Sequence, residues 1–385
     1  MRQALLVLVI VAVACAAHAQ RPTPCGTTRW PHWSRYVEAF ISPDGRVIER
    51  TAADRTTSEG EAYALFFALV AGDHPLFDRL LKWTQENLAQ GDLKQHLPGW
   101  NWGKRRDGNW GVIDENSASD ADLWMAYALL EAGRLWSESR YAELARNILS
   151  NVVAREISDL AGLGPMLLPG PAGFVLGGDR GVRLNPSYVP PQVLRRFSSA
   201  GVPGPWNAVL SSSTRTLRET ARGGVVPDWV LYRPRRGFAA DPMHGSVGSY
   251  DAIRAYLWTG MLSEQDEAAV ELARALSGLL RRFQENGKLP ERIDVFSGRA
   301  GGGAPVGFYA ALMPLARAAS DERSLKALQD RVASQEKNGL YGDPPAYYDQ
   351  NLILFARGFL DGRFQFDADG ALHTAWETQC LGRTR

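Results

Sequence analysis

Apolar residues recur along this chain with the roughly 3.6-residue period of a helix. The segments lie near residues 31–41, 59–72, 74–90, 118–134, 138–154, 189–200, 204–222, 248–260, 263–286, 305–318, 321–335 and 345–361. Proline and glycine clusters separate them, notably "GLGPMLLPGPAGFVLGG" (162–178) and "SGRAGGGAPVG" (297–307). Strand-like alternation is sparse and amounts to one small hairpin around 173–184. The helices alternate in kind. One class is apolar nearly all round, as in "EAYALFFALVA", "DLWMAYALLEA", "AIRAYLWTGM", "VGFYAALMPLA" and "NLILFARGFL". The next segment is often amphipathic and charged, as in "FDRLLKWTQENLAQ" and "SRYAELARNILSNVVARE". A helix apolar on every side is buried, and an amphipathic one covers it. The pattern therefore predicts an all-α fold of about twelve helices in two concentric rings, an α/α barrel. An open solenoid of helical hairpins is the alternative, but no tight fixed-period repeat supports it.

Length alone would allow two domains, yet no linker-like or low-complexity tract divides the chain. A single catalytic domain over 20–385 is expected. Residues 1–19 read as a leader: Met1-Arg2 is a short positive start, 5–14 are apolar, and Ala17-His18-Ala19 fits a cleavage site. That run is too short to span a membrane. Acylation of Cys15 is the competing reading, disfavoured by Ala12 where a leucine is usual. Export to the periplasm or beyond follows, with cleavage near Ala19. An oxidising compartment would let Cys25 and Cys380 form a disulfide tying the termini together. The alternative is two unpaired thiols. For so long a loop, the chain-entropy account gives about 4–5 kcal/mol of stabilisation.

Charge is balanced, with 43 basic and 42 acidic residues. No basic stripe points to nucleic acid, and no lysine-rich amphipathic segment points to a membrane surface. Twelve Trp and twelve Tyr in a chain of this type are more informative. Aromatic faces stack on the apolar C–H faces of sugar rings.

Three helix starts carry acids. In "TTSEGEAYALFFAL" (56–69), Ser58 fits an N-cap, placing Glu59 first and Glu61 third, so that Ser58 and Glu61 form a capping box. Glu59 is left without a structural duty. In "NSASDADLWMAYALL" (116–130), Ser119 fits the cap, Asp120 the first position and Asp122 the third. In "GSYDAIRAYLW" (248–258), Ser249 fits the cap and Asp251 enters the first turn. One such acid is explained by the helix dipole. Three, each opening one of the most apolar helices, would converge on one rim of a barrel whose inner helices run in parallel. Converging carboxylates among aromatic residues suggest glycoside hydrolysis by one protonated acid and one ionised base. Because a helix N-terminus favours the ionised form, Glu59 needs burial or a neighbouring carboxylate, such as Asp120, to keep its proton.

"ASDADLWMAYALLEAGRLW" (118–136) resembles the signature of glycoside hydrolase family 8, an A-[ST]-D-[AG]-D pattern followed by an apolar helix. "TTSEG", "NPSYVPP" (185–191), "SYDAIR" and "AYYDQNL" (346–352) also look like that family, and the resemblance spans nearly the whole mature chain. Within the family it is similar to the periplasmic endoglucanases encoded with bacterial cellulose synthases. The resemblance implies an (α/α)6 barrel hydrolysing β-1,4-glucan with inversion, and a functional association with a cellulose synthase complex. By motif matching, Glu59 is the general acid and Asp251 the base activating water. Asp120 holds the distorted sugar; signature-based descriptions call it a nucleophile, which an inverting reaction does not need. Arg254, three residues after Asp251, shares its helix face and either keeps Asp251 ionised or makes a structural ion pair.

For substrate binding, "PGWNWGKRRDGNWGV" (98–112) holds three tryptophans. Trp102 is the favoured stacking platform, with core packing as its alternative. Tyr188, Trp229 and Tyr347 are further candidates, and Tyr188 matches a family tyrosine near the reacting sugar. No GxSxG elbow, HExxH, paired CxxC, P-loop or DDxxD motif occurs, so neither metal nor cofactor is expected. Gly301-Gly302-Gly303 reads as a flexible rim loop. A xylanase or chitosanase on the same scaffold is the second enzyme reading. A non-catalytic glucan-binding assembly factor is the third; three poised acids argue against it.

Overall fold

The structure, a computed structural model, describes residues 30–377. The leader over 1–19 and the Cys25–Cys380 pair lie outside the described residues. The helices are α1 (Pro31–Phe40), α2 (Ser58–Ala71), α3 (His74–Leu88), α4 (Ser119–Leu135), α5 (Ser139–Arg155), α6 (Pro191–Ser199), α7 (Trp206–Thr220), α8 (Ile253–Gly260), α9 (Ala269–Ala275), α10 (Gly278–Asn286), α11 (Val306–Ala318), α12 (Glu322–Ala333) and α13 (Tyr347–Leu360). Six of them close a ring: α2 packs on α4, α4 on α6, α6 on α8, α8 on α11, α11 on α13, and α13 returns to α2. Each inner helix carries an outer one, namely α3 on α2, α5 on α4, α7 on α6, α9 on α8, α12 on α11 and α1 on α13. This is the expected (α/α)6 barrel. The return of α13 to α2 rules out the open solenoid.

The two rings follow from the two sequence patterns. In α2 every residue except Glu59 is buried. Its neighbour α3 buries only a stripe, including Leu76, Phe77, Leu80 and Trp83. Aromatic rings from four inner helices fill the middle of the barrel. Phe66 stacks on Phe355 at 5.2 Å between centroids, Tyr63 meets Phe355 edge-on at 5.0 Å, and Trp124 lies 5.1 Å from Trp258. Losing one such ring from a packed core costs about 3–5 kcal/mol. The filled interior leaves room for a site only at the ends of the ring. Among the described residues no helix is long and apolar enough to cross a membrane.

Two expectations are corrected. The segment 263–286 is two helices, α9 and α10, rather than one. The backbone of another loop crosses at the break: Gly278 N donates to Gly224 O at 3.0 Å. A Cβ on Gly278 would lie 2.2 Å from Gly223 O, so only glycine fits. Strands are also more numerous than the single hairpin predicted at 173–184. The expected pairing is present in a minimal form, with Arg183 N donating to Phe174 O at 2.9 Å, Leu176 N to Gly181 O at 3.0 Å and Val175 bridging Val182, while residues 182–184 also join strands 230–233 and 237–240 in a three-stranded antiparallel sheet. Five further small sheets edge the barrel. Their strands are two to five residues long, too short for period-2 alternation to register in a sequence.

Candidate active site

The acid-bearing helix starts are built differently from the expected caps. Strand β1 (Thr56–Thr57) pairs with β2 (Asn101–Lys104) and delivers the chain into α2. Thr57 is the N-cap, its Oγ1 accepting from Gly60 N at 3.2 Å, and Ser58 is already helical. Glu61 makes no capping box. Its Oε1 accepts from Val47 N at 2.7 Å and its Oε2 from Thr84 Oγ1 at 3.4 Å, fastening the 41–47 turn to the barrel. In α4 the cap position is Ala118, with no side-chain bond, and Ser119 is helical. The turn before α8 is not capped by Ser249, whose Oγ donates to Glu291 O at 2.7 Å. Asp251 precedes that helix, which starts at Ile253.

Despite these shifts, the three acids converge. Arg254, 2% exposed, reaches all of them. Its Nη1 contacts Glu59 Oε2 and lies 3.1 Å from Asp120 Oδ2, while its Nη2 lies 3.0 Å from Asp251 Oδ1. Ser187 Oγ takes a further bond from Nη2 at 3.2 Å. Arg254 therefore makes the structural ion pair weighed for it, with Asp251 and with the other two acids as well. Above it opens a cavity of about 460 Å³, bounded by the N-terminal ends of α2 and α13, by the turn before α8, and by Trp100 and Tyr188.

Three carboxylates share one guanidinium, so full ionisation would leave uncompensated charge in a buried place, which is costly. The cluster responds by holding protons. Burial raises the Glu59 carboxyl above its usual range; Arg254 opposes this and Asp251 adds to it. Burial pushes Asp120 up to about 8, against the pull of Arg254 and with the repulsion of Glu59. The condition set for Glu59 is met by burial and by Asp251, and not by Asp120 as expected, because the hydrogen bond with Asp120 lowers the Glu59 carboxyl.

The substrate-binding candidates fall into different places. Tyr188 and Tyr347 line the cavity. The Tyr188 ring faces Arg254, with Cζ 5.2 Å from its centroid, and Tyr347 Oη lies 3.0 Å from Thr57 Oγ1. Trp102 does not line this cavity. It stacks on Trp110 at 5.3 Å, meets Trp83 edge-on at 5.3 Å, and lies under the Arg46 guanidinium at 4.4 Å. From the same loop, Trp100 lines it instead. Trp229 is committed to Asp251, donating Nε1–H to Oδ2 at 3.0 Å, with Phe174 and His244 stacked on its ring. Sequence reasoning missed Tyr250 and Tyr348, which line the cavity and lie within "SYD" and "AYYD" themselves. It also missed Ser187 and Asp228. Their place in the motifs was the available signal for the two tyrosines; Asp228 offered none.

Beneath α4 lies a second acid pair. Asp122 and Glu156 are fully buried, and Ser117 Oγ donates to Glu156 Oε1 at 2.5 Å. Burial first, then the repulsion of Glu156, raises Asp122 well above its usual range, and burial lifts Glu156 to about 7. An unfolded glutamate titrates near 4.3. The folded chain thus binds more protons between about pH 4 and 7. Stability from this pair is fully present below that window and is lost as pH rises through about 7. Denaturant unfolding at pH 5 and pH 8 should show the loss. A double variant, Asp122→Asn with Glu156→Gln, should lose on the order of 2 kcal/mol less over that interval. An equal loss in both proteins would refute the assignment.

Comparison with known proteins agrees with this geometry. The family described as glycosyl hydrolases family 8 matches residues 6–362. The endoglucanase of Xanthomonas axonopodis pv. citri (strain 306) is 44% identical over 376 residues, spanning 97% of this chain and 96% of that protein. The endoglucanase of Escherichia coli (strain K12) is 41% identical over 353 residues, spanning 91% of this chain and 92% of that protein. Among solved structures, the endo-1,4-D-glucanase from Vibrio fischeri ES114 superposes with a TM-score of 0.82 at 40% identity, covering 91% of this chain and 100% of that one. With the family match and the relatives covering nearly its whole length, the chain belongs to glycosyl hydrolase family 8 and is a glycoside hydrolase.

Proposed function

We propose that this protein is a secreted endo-β-1,4-glucanase that hydrolyses cellulose-type glucan with inversion. The observation that carries the reading is the shared guanidinium. Arg254 gathers Glu59, Asp120 and Asp251 at one place, and it lines an open cavity walled by aromatic rings together with Glu59 and Asp251, while Asp120 lies buried behind them. The relatives that match nearly all of the chain are endoglucanases. Glu59 gives its proton to the glycosidic oxygen as the bond to the anomeric carbon breaks. Asp251 takes a proton from the water that attacks that carbon from the opposite face. Asp120 holds the distorted sugar, and Arg254 pairs with the base. Tyr188, Tyr347 and Trp100 bind the chain around the scissile bond. No cofactor enters these steps.

The purified protein should lower the viscosity of carboxymethylcellulose early, while reducing ends are still few, because internal cuts shorten long chains first. Proton NMR of the first product should show the α-anomer. β-Anomer first would overturn inversion. Activity on xylan or chitosan with none on the cellulose derivative would overturn the substrate class.

We infer export from the leader-like 1–19, and a role beside cellulose synthesis from the resemblance. Cell fractionation that finds the intact Met1 form in the cytosol would overturn the first. A deletion strain with unaltered cellulose output would overturn the second. Both ends of the described chain meet α2, where Trp30 packs on Phe67 and Trp376 Nε1 donates to Leu69 O at 3.0 Å. That convergence supports the Cys25–Cys380 bond, and two free thiols in exported protein would remove it.

A further inference from the structure

Asp251 does not stand on a helix. It lies in the turn 249–252, ahead of α8, and α8 has no side-chain cap of its own. A base on a free turn would wander, yet a misplacement of about 1 Å can cost about 10²-fold in rate. Something outside the turn has to hold it.

The segment carrying Asp228 and Trp229 does so twice. One oxygen of Asp228, Oδ1, accepts from Ser249 N at 2.7 Å and from Ala252 N at 2.8 Å, so it grips both ends of the turn. The next side chain, Trp229, donates Nε1–H to Asp251 Oδ2 at 3.0 Å. The backbones also touch: Asp228 N donates to Val247 O at 2.8 Å. A Cβ on Gly248 would lie 2.1 Å from Val226 O, an approach only glycine permits. With Arg254 Nη2 on Oδ1, each oxygen of the Asp251 carboxylate has one fixed donor. Each therefore keeps capacity to accept from water.

We propose that Asp228 and Trp229 form the positioning element of the base: Asp228 fixes the turn, and Trp229 fixes the orientation of the carboxylate it carries. This rests on the reading of Asp251 as base. It also reassigns Trp229, expected from sequence to bind sugar, to hydrogen-bonding the machinery. Phe174 and His244 stack on its ring.

Asp228→Ala removes both bonds to the turn. It should lower kcat about 10²-fold with KM changed far less, because Tyr188, Tyr347 and Trp100 stand outside the turn and only Tyr250 of the cavity wall moves with it. Asp228→Asn keeps an amide oxygen for the same two N–H groups and should recover most of that loss. Trp229→Phe keeps the stack and loses only the N–H, so kcat should fall about tenfold, again with KM little changed. Circular dichroism melting establishes the folded fraction of each variant. Asp251→Asn is assayed beside them. If it stays active, the base assignment itself is wrong. If it is inactive while Asp228→Ala and Trp229→Phe turn over like the parent, only the positioning role is wrong. Should Asp228→Ala fail to fold, parental kcat in Trp229→Phe overturns the proposal alone, and a reduced kcat sustains it. A rise in KM with kcat unchanged in Trp229→Phe would return that residue to sugar binding.

Discussion

Glu59→Gln should give a folded protein that still binds glucan but turns it over about 10²–10⁴-fold more slowly. The substitution keeps the shape of the side chain and an acceptor for Arg254, and removes the transferable proton. Two other acids share that guanidinium, so Arg254 cannot compensate Glu59 fully, and burial raises its carboxyl above the usual range. A neutral amide replaces a carboxyl that already holds its proton, so the melting temperature should stay level at neutral pH. The paired control is Glu61→Gln. Glu61 points away from the cavity to Val47 N and Thr84, and a glutamine oxygen can still accept from Val47 N. Turnover in that variant should remain near parental. Asp251→Asn should be as slow as Glu59→Gln, because an amide takes no proton from water. Steady-state kinetics with a binding measurement on each variant decides the matter. If Glu61→Gln is as inactive as Glu59→Gln, the two glutamates have been assigned the wrong way round.

Arg254→Met should be the most destabilising single change at the site. It leaves three carboxyls around a cavity floor without their shared cation. Removing one partner from a buried ion pair costs about 3–5 kcal/mol at neutral pH. Glu59 and Asp120, already raised by burial, respond by holding their protons more firmly. The sign follows: the folded variant binds more protons than the unfolded chain, so its stability recovers as pH falls and worsens as pH rises. Denaturant unfolding at pH 5 and pH 7.5 should show a deficit much larger at the higher pH. Activity should be lost at both, since Asp251 loses the donor on its Oδ1 and Glu59 and Asp120 lose their shared partner. Arg254→Lys keeps a charge, but a single ammonium cannot reproduce the fork that serves Glu59 and Asp120 on one nitrogen and Asp251 on the other. It should recover stability before it recovers turnover. A Met variant with parental stability at both pH values would show that the acids are solvated rather than dependent on Arg254.

The convergence of the acids is a property of the ring. Inner helices alternate with outer ones along the chain, so every inner helix enters from the same end. An acid near the start of any of them reaches the same rim. This is why Glu59, Asp120 and Asp251 meet although each sits one or more positions away from where a side-chain cap would put it. The capping argument picked out three acids that do converge, by a partly wrong route. Ser58, Ser119 and Ser249 look like N-caps, and none of them is; Thr57 caps α2, Ala118 occupies the position in α4, and the turn before α8 is held by Asp228. The fault lies in treating a cap as a local choice when strands and neighbouring loops can satisfy the same amides.

Helix type, the alternation of buried and covering helices, and the three rim acids were all readable along the chain, because periodicity and helix starts are local over a few residues. The motifs around those acids carried the family in the same way. Partnership was not readable. Arg254 meets Glu59 across 195 positions of sequence, and Trp229 meets Asp251 across 22. Which tryptophan of the 98–112 loop faces the cavity depends on how β2 folds against β3 (Trp110–Asp114) and on Arg46 arriving from another loop. The break between α9 and α10 depends on a distant glycine pair crossing that spot. Local pattern sets what each segment can become. Contacts made only after the ring closes decide which side chains hold a proton, which hold a base in place, and which merely pack.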